Sequence, residues 1–393
     1  MAEVADVVVI GGGCSGSSIG WQLASRGAGR VVLLEKTAIA AGATGRSSAV
    51  VRTHYTHPAL AQMSLAALRV FENFAEVVGG DAGFHRPGLL VLLGPEDAEA
   101  VAANVAMHRE IGIDACVLSL AELHQLEPRL SVEGIGAVAW EPRSGYADPV
   151  LAAASFAEAG RRLGVDQRIG VTAHALIVGT RGIQRVETDG GSIETRTVVV
   201  AAGYRTRELL KSTGFDLPLQ PIRHTIAIVQ RSTGFGAPHA IISDRVSGAY
   251  FRPEGTELTL VGASSPLDGT EDEAVEIDRS PAPADEAALV SRFCARFPRE
   301  ERASLRRGYT GVYDCTPDLQ PVLGPVPGID GLHVAAGFSG HGFKLSPITG
   351  ELIAQQIVDG RATLVDLDLF SPGRFAAQRL ISSTHAYSVA THG

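Results

Sequence analysis

The chain opens with runs of consecutive apolar residues rather than alternating ones. Val7 to Ile10 and Val31 to Leu34 are each continuously hydrophobic, as strands buried on both faces of a parallel sheet must be. Between them, "GGGCSGSSIGWQLASRG" reads as a tight glycine turn entering a helix, so the N-terminus predicts a strand–helix–strand unit. A third run, Val198 to Ala201, leads into Gly203. Helical spacing governs "HPALAQMSLAALRVFENFAEVVGG", with Leu68, Phe71, Ala75 and Val78 along one face and a glycine pair as the stop. "DPVLAAASFAEAGRRLG" predicts a second helix, with Asp148 as N-cap, Pro149 at the first helical position and Gly164 beyond the end.

In mid-chain the texture changes. "RHTIAIVQ" and "AYFRPEGTELTLVGA" contain short extended runs, the second folded about a Pro-Glu-Gly turn, which predicts an antiparallel sheet. "PADEAALVSRFCARFP" reads as a helix on the outside of that sheet. From about Arg307 the chain returns to glycine-rich loops and then to a helix over "PITGELIAQQIVDG". The parallel-type pieces come from the start, middle and end of the chain, and the antiparallel pieces fill the gaps. The expected organisation is therefore two interleaved units. One comprises residues 1–80, 145–215 and 305–393, and the other 81–144 and 216–304. The class is α/β with an α+β second domain.

Composition narrows the options. A chain of 393 residues with 45% hydrophobic and 20% charged residues is globular and long enough for two cores. The net charge is −9 and no basic cluster offsets it, which argues against nucleic acid or an anionic membrane as partner. Cys14, Cys116, Cys294 and Cys315 are scattered, with no metal-type spacing, as expected in a reducing compartment. The apolar start has acids where a signal peptide would have basic residues, and no apolar run reaches the ~18 residues of a membrane helix. A soluble, cytoplasmic protein is expected, with its oligomeric state open.

The chemistry begins at the first turn. Gly11, Gly13 and Gly16 form GxGxxG directly after a strand and before a helix. The first glycine allows the turn, the second lets backbone approach a pyrophosphate, and the third lets helix pack on strand. The amides at the helix start then face the phosphate charge. Glu35 closes the second strand, where an acid can accept hydrogen bonds from an adenosine ribose. An adenine dinucleotide is implied. No second strand–GxGxxG–helix occurs to bind NAD(P)H beside a flavin, and the last segment returns with another glycine-rich stretch, "AAGFSGHGFKLSP". A single FAD reduced directly by substrate explains both features.

At this point the sequence resembles the FAD-dependent amine oxidoreductases of the D-amino-acid oxidase, glycine oxidase and sarcosine oxidase superfamily. The stretches that carry the resemblance are "VVVIGGGCSGSSIGWQLASRG", "LLEKTAIAAGATGRSSAVVR", "VVVAAGY", "RGYTGVYDCTPDLQPVLG" and "AAGFSGHGFKLSP". They span nearly the whole chain, and the last is nearest to the sarcosine oxidase branch, which oxidises N-methylated or cyclic amino acids. The resemblance implies a Rossmann-like FAD-binding domain of the glutathione reductase type. It places Cys14 and Ser15 at the phosphate turn, Glu35 and Lys36 at the end of the second strand, and Thr44, Gly45, Arg46, Ser47 and Ser48 along the pyrophosphate and flavin. Ala202 and Gly203 approach the cofactor after the third strand, and Gly340, His341, Gly342 and Phe343 run beside the flavin ring. Arg52 and Lys344 match the two cations that hold a substrate carboxylate. Departures are equally specific. Gly311 occupies the position at which some relatives attach FAD through cysteine, with Cys315 four residues later, so non-covalent FAD is expected. An oxygen-activating lysine is replaced near Leu260 and a flavin-facing arginine by Ala49, leaving open whether O2 or an electron carrier reoxidises the flavin.

The pairing of Arg52 with Lys344 also makes sense in physical terms. An arginine fork can grip a carboxylate in bidentate fashion while a lysine adds a point charge, and two cations brought together repel unless an anion belongs between them. The expected reaction is hydride transfer from an amino acid's C–N carbon to flavin N5, giving an imine that water hydrolyses. The flavin performs that chemistry, with His341 the one candidate for a catalytic side chain. Tyr250 and Arg252 are placed across the pocket. His54 and His224 read as structural histidines, and Thr316 and Asp318 as braces of the loop before the flavin. Two other readings stand beside this one: an FAD-dependent 2-hydroxy acid dehydrogenase, and a non-catalytic flavoprotein subunit.

Overall fold

A computed structural model describes residues 3–265, 270–271 and 279–388. Its two largest sheets come from interleaved stretches of chain. The first has six strands in the order Val322–Pro325, Leu332–Ala336, Val198–Val200, Val7–Ile10, Val31–Glu35 and Asp166–Ile169. All neighbours are parallel except the edge strand Val322–Pro325. Its apolar runs are explained by burial on both sides. Val7, Val9, Leu33 and Val199 face the helices Cys14–Ser25 and Gly342–Val358, while Val8, Ile10, Leu34 and Val200 face a small sheet that includes Ala173–Gly179 and Gly182–Thr188.

The second large sheet is mainly antiparallel and packs helix Pro283–Arg296 on its outer side through Leu289 and Phe293, as expected. Its central hairpin joins Ala249–Glu254 to Leu258–Ala263. The turn, residues 255–257, lies two residues later than the expected Pro-Glu-Gly. Pro253 is still paired with Thr259, and Gly255 takes the left-handed conformation at φ 54°. Strand Ser304–Cys315 pairs with Gln220–Gln230 along its length, so residues 305–315 join this sheet rather than the parallel one.

Two helices differ from expectation. The predicted helix after His57 is two, Pro58–Glu72 and Phe74–Val78, broken at Asn73. The break turns Phe74 inward and leaves Ala75 exposed, correcting the predicted face. The last helix begins at Gly342, not at Pro347, which sits inside it. Proline removes one intrahelical donor, yet this helix is held by close packing: a methyl group on Gly350 would meet Ser18 Oγ at 2.2 Å. Lys344 therefore belongs to a helical first turn rather than a loop. Helix Pro149–Arg162 forms as read, with Asp148 accepting from the amides of Val150 and Leu151. Among the described residues, no helix is long and apolar enough to cross a membrane.

Candidate active site

A cleft of about 570 Å³ runs along the carboxyl ends of the parallel strands. One end is built by Gly11, Gly13, Cys14 and Ser15, with Glu35, Lys36, Thr44, Arg46 and Ser47 beside them. Gly11 has φ 113°, and a methyl group there would meet Ala201 O at 2.3 Å. Gly16 lines no part of the cleft. A methyl group on it would lie 1.8 Å from Gly11 O, so it serves helix-on-strand packing. The helix starts at Cys14 with no acid in its first turn, and its first amides lack intrahelical acceptors. Cys14 N donates to Thr44 Oγ1 at 3.1 Å, which ties the expected phosphate turn to the following loop. Glu35 accepts from Gly12 N and from Thr37 N, each at 2.8 Å, and still faces the cleft.

These features answer whether an adenine dinucleotide fits. The cavity volume lies in the range of cofactor pockets, its turn excludes side chains, and it offers helix-start amides and an acid, the kinds of group that pyrophosphate and ribose bind. The far wall consists of Ala202, Gly203, Gly311, Tyr313, Asp314, Gly340, Gly342 and Phe343. Gly340 has φ 95°, and a methyl group there would strike the Tyr313 ring at 2.7 Å. Burial pushes the Asp314 carboxyl up to about 6, against the hydrogen bond it accepts from Gly337 N.

A second, smaller cavity of about 60 Å³ abuts the cleft, sharing Tyr313 and Gly340 with it. Its wall brings Arg52 and Lys344 together with Ser48, Tyr250, Ser243 and Arg245. Arg52 is itself buried, lies over the Tyr55 ring at 4.4 Å and donates to the carbonyl of His54. Tyr250 fits because its cross-strand partner is Gly262, where a methyl group would overlap the phenol at 2.6 Å. Lys344 is 6% exposed, at the third residue of a helix whose positive dipole end already disfavours a cation. Burial, and then the Arg52 guanidinium, hold its ammonium pKa well below the ordinary lysine value. No acidic side chain lines this cavity among the described residues.

Several expected site residues lie elsewhere. Gly45 is exposed and closes a turn onto Ala40 O rather than lining the cleft. Ser48 belongs to the smaller cavity. Arg252 lines neither: its guanidinium pairs with Glu254 and stacks over Tyr146 at 4.4 Å. His341 is fully buried, with Nδ1 3.1 Å from Tyr55 Oη and Nε2 3.1 Å from Leu319 O. Burial, followed by Lys344 and Arg52, keeps the ring well below the usual histidine range. It shapes the loop and does not reach the cleft. Cys315 packs with Ile222 and Leu319, away from the position of Gly311. Thr316 and Asp318 do brace the loop. Thr316 Oγ1 donates to Gln320 O at 2.9 Å, and Asp318 takes both arms of the buried Arg374 at 2.8 Å.

Sequence reasoning missed part of the cleft wall: Thr172, Ala173 and His174, which follow Val171 where its amide donates to Glu35 O, together with Tyr204 and Glu208. These residues are half-exposed or exposed, and nothing in their spacing marks a site. It also missed Ser243, Arg245 and Tyr313, which the sheet register alone brings to the smaller cavity.

A family model described as DAO, FAD dependent oxidoreductase, matches residues 6–356. The chain belongs to this family. Rat mitochondrial dimethylglycine dehydrogenase is 26% identical over 408 residues, covering 99% of this chain and 47% of that protein. The chain thus spans about half the length of the dimethylglycine dehydrogenases it matches. Glycine oxidase of Geobacillus kaustophilus is 28% identical over 93% of this chain and 96% of its own. Among solved structures, L-proline dehydrogenase from P. horikoshii superposes with a TM-score of 0.87 at 26% identity, covering 97% of this chain and all of that one. The DAO-family chain is thus an FAD-dependent oxidoreductase related to enzymes of amino-acid oxidation, in the mixed α/β fold expected of it.

Proposed function

We propose that this DAO-family protein oxidises the C–N bond of an amino acid whose nitrogen is secondary or tertiary, such as an N-methylated one. The reading is supported above all by Lys344: a buried cation at a helix N-terminus beside Arg52, in a cavity wall with no acid among the described residues. That arrangement is unfavourable for the free protein, and a substrate carboxylate reverses its sign. Non-covalently bound FAD accepts the hydride equivalent when present. In this reading FAD lies along the large cleft, from Gly11 and Glu35 to Gly340 and Phe343.

The chain's own residues position and select. Arg52 and Lys344 hold the carboxylate, Tyr250 covers it from the second sheet, and Tyr313 with Gly340 form the passage between the cavities. The two cations also disfavour a protonated amine, so the substrate nitrogen enters neutral and needs no general base. The two large sheets then act as cofactor and substrate units, which gives the interleaved domain division its meaning. Dimethylglycine and proline, named by the relatives, are apt first substrates.

The hydroxy-acid reading requires a base over the flavin. His341 points away, and His174, three residues beyond Val171 whose amide donates to Glu35 O, is the histidine lining the cleft among the described residues. Anaerobic mixing of the yellow protein with N,N-dimethylglycine, sarcosine, proline, lactate and glycolate tests the choice. Bleaching near 450 nm by amines alone is expected (roughly, the flavin band). Bleaching by hydroxy acids alone would replace the proposal, and no bleaching by any compound would revive a non-catalytic role.

A further inference from the structure

Three buried side chains that line neither cavity converge beside the Arg52 segment. His54, His108 and Glu141 are 2%, 0% and 1% exposed. One nitrogen of each ring and a carboxylate oxygen all lie within 4.8 Å of one another. Of these, His54 Nδ1 and Glu141 Oε1 are 3.6 Å apart, too far for a good hydrogen bond. His54 Nδ1, His108 Nδ1 and Glu141 Oε1 have no hydrogen-bond partner among the described residues. Leaving such atoms in a core with nothing closer than a 3.6 Å ion pair is costly.

The opposite side of each group is already engaged. His108 Nε2 is 2.7 Å from Tyr55 O. A carbonyl only accepts, so Nε2 carries the proton and the unbonded Nδ1 keeps a free lone pair. His54 Nε2 is 2.6 Å from Tyr387 Oη. Glu141 Oε2 accepts from Thr53 N at 3.0 Å and Ser144 Oγ at 2.6 Å. Outer partners of this kind orient metal ligands and set their tautomers. Two imidazole nitrogens and one carboxylate oxygen form a borderline donor set of the zinc type. Tetrahedral Zn²⁺ with bonds of about 2.0–2.1 Å separates its ligands by roughly 3.4 Å. The His54–Glu141 pair is near that spacing, and the His108 nitrogen, within 4.8 Å of both, must close in by at most about 1.4 Å.

We propose that His54, His108 and Glu141 bind a divalent transition-metal ion of the zinc class, which braces the strand end carrying Arg52. The bracing follows from the backbone. Thr53 N–H is held by Glu141, Tyr55 O by His108, and the His54 carbonyl accepts from Arg52. Metal analysis of the purified, FAD-loaded protein, incubated with Zn²⁺ and desalted, should find about one ion per chain. Glu141→Gln should retain at least about tenfold less, at equal FAD content and with an unchanged circular dichroism spectrum. Stripping the unmutated protein with dipicolinate should lower its Tm, and Zn²⁺ should restore it, a result independent of whether the variant folds. Less than about a tenth of an ion per chain after Zn²⁺, Co²⁺ and Mn²⁺ in turn would overturn the proposal. So would equal metal in a folded Glu141→Gln protein. Metal content is read without turnover, so failure of the proposed amine chemistry leaves this test intact.

Discussion

Replacing Lys344 with methionine separates the contribution of the lysine's charge from that of its bulk. The two side chains are similar in length and volume, and position 344 is buried against the N-terminal end of its own helix. In the free protein the ammonium is opposed by burial, by Arg52 and by the helix dipole. Methionine removes all three penalties. Exchanging a poorly compensated buried ion for an apolar residue of like volume is neutral or stabilising, by up to about 4 kcal/mol, so Tm should hold or rise by a few degrees. Binding should move the other way. Truncating one partner of a buried, hydrogen-bonded charge pair costs about 2–5 kcal/mol, which at about 1.4 kcal/mol per decade is roughly 30- to 3,000-fold in affinity. The assay is anaerobic stopped-flow reduction by N,N-dimethylglycine or proline, fitted for an apparent Kd, beside a thermal melt of the same preparation. A stabilised, yellow variant with weakened substrate binding is expected. A variant that binds as tightly as the parent, or one that is destabilised and colourless, would show that Lys344 serves the fold or the cofactor.

Further predictions use other parts of the structure. Because the free enzyme holds the Lys344 ammonium well below the ordinary lysine range, an arriving carboxylate should draw a proton onto it. Titration calorimetry in buffers of different ionisation heat should then show proton uptake on binding, and no buffer dependence would contradict the clamp. The same depressed value means that the unfolded chain binds the proton more readily, so this group makes the free protein more stable as pH rises towards 10.5. Arg374→Ala leaves Asp318 buried without its partner, and a loss of about 3–5 kcal/mol of stability in denaturant melts is expected. Gly16→Ala places a methyl group 1.8 Å from Gly11 O, so the turn must shift and the purified protein should lose FAD, measured as the ratio of 450 to 280 nm absorbance (roughly, the flavin and protein bands).

The nucleotide half of the fold was legible because its signals are local. A two-sided buried strand needs an unbroken apolar run, and a phosphate turn needs glycine at set positions, so Val7 to Gly16 can be read almost residue by residue. The last helix misled because Gly342 and Pro347 are loop residues by propensity, yet both lie within a helix that packs closely on Ser18 through Gly350. Arg252 was read to the right strand but the wrong neighbours, since side-chain direction depends on the Glu254 and Tyr146 it meets there. His54, His108 and Glu141 are separated by 54 and 33 positions in the sequence. No spacing rule joins them, and the strand Ala137–Glu141 brings its acid to the two rings through sheet pairing alone.

The central claim is that a carboxylate beside the flavin is what Arg52 and Lys344 exist to hold. Anaerobic reduction by N,N-dimethylglycine, compared with trimethylamine, which keeps the nitrogen and lacks the carboxylate, tests it most directly. Rapid bleaching of the flavin by the amino acid and none by the amine is expected. Equal bleaching by both would contradict it.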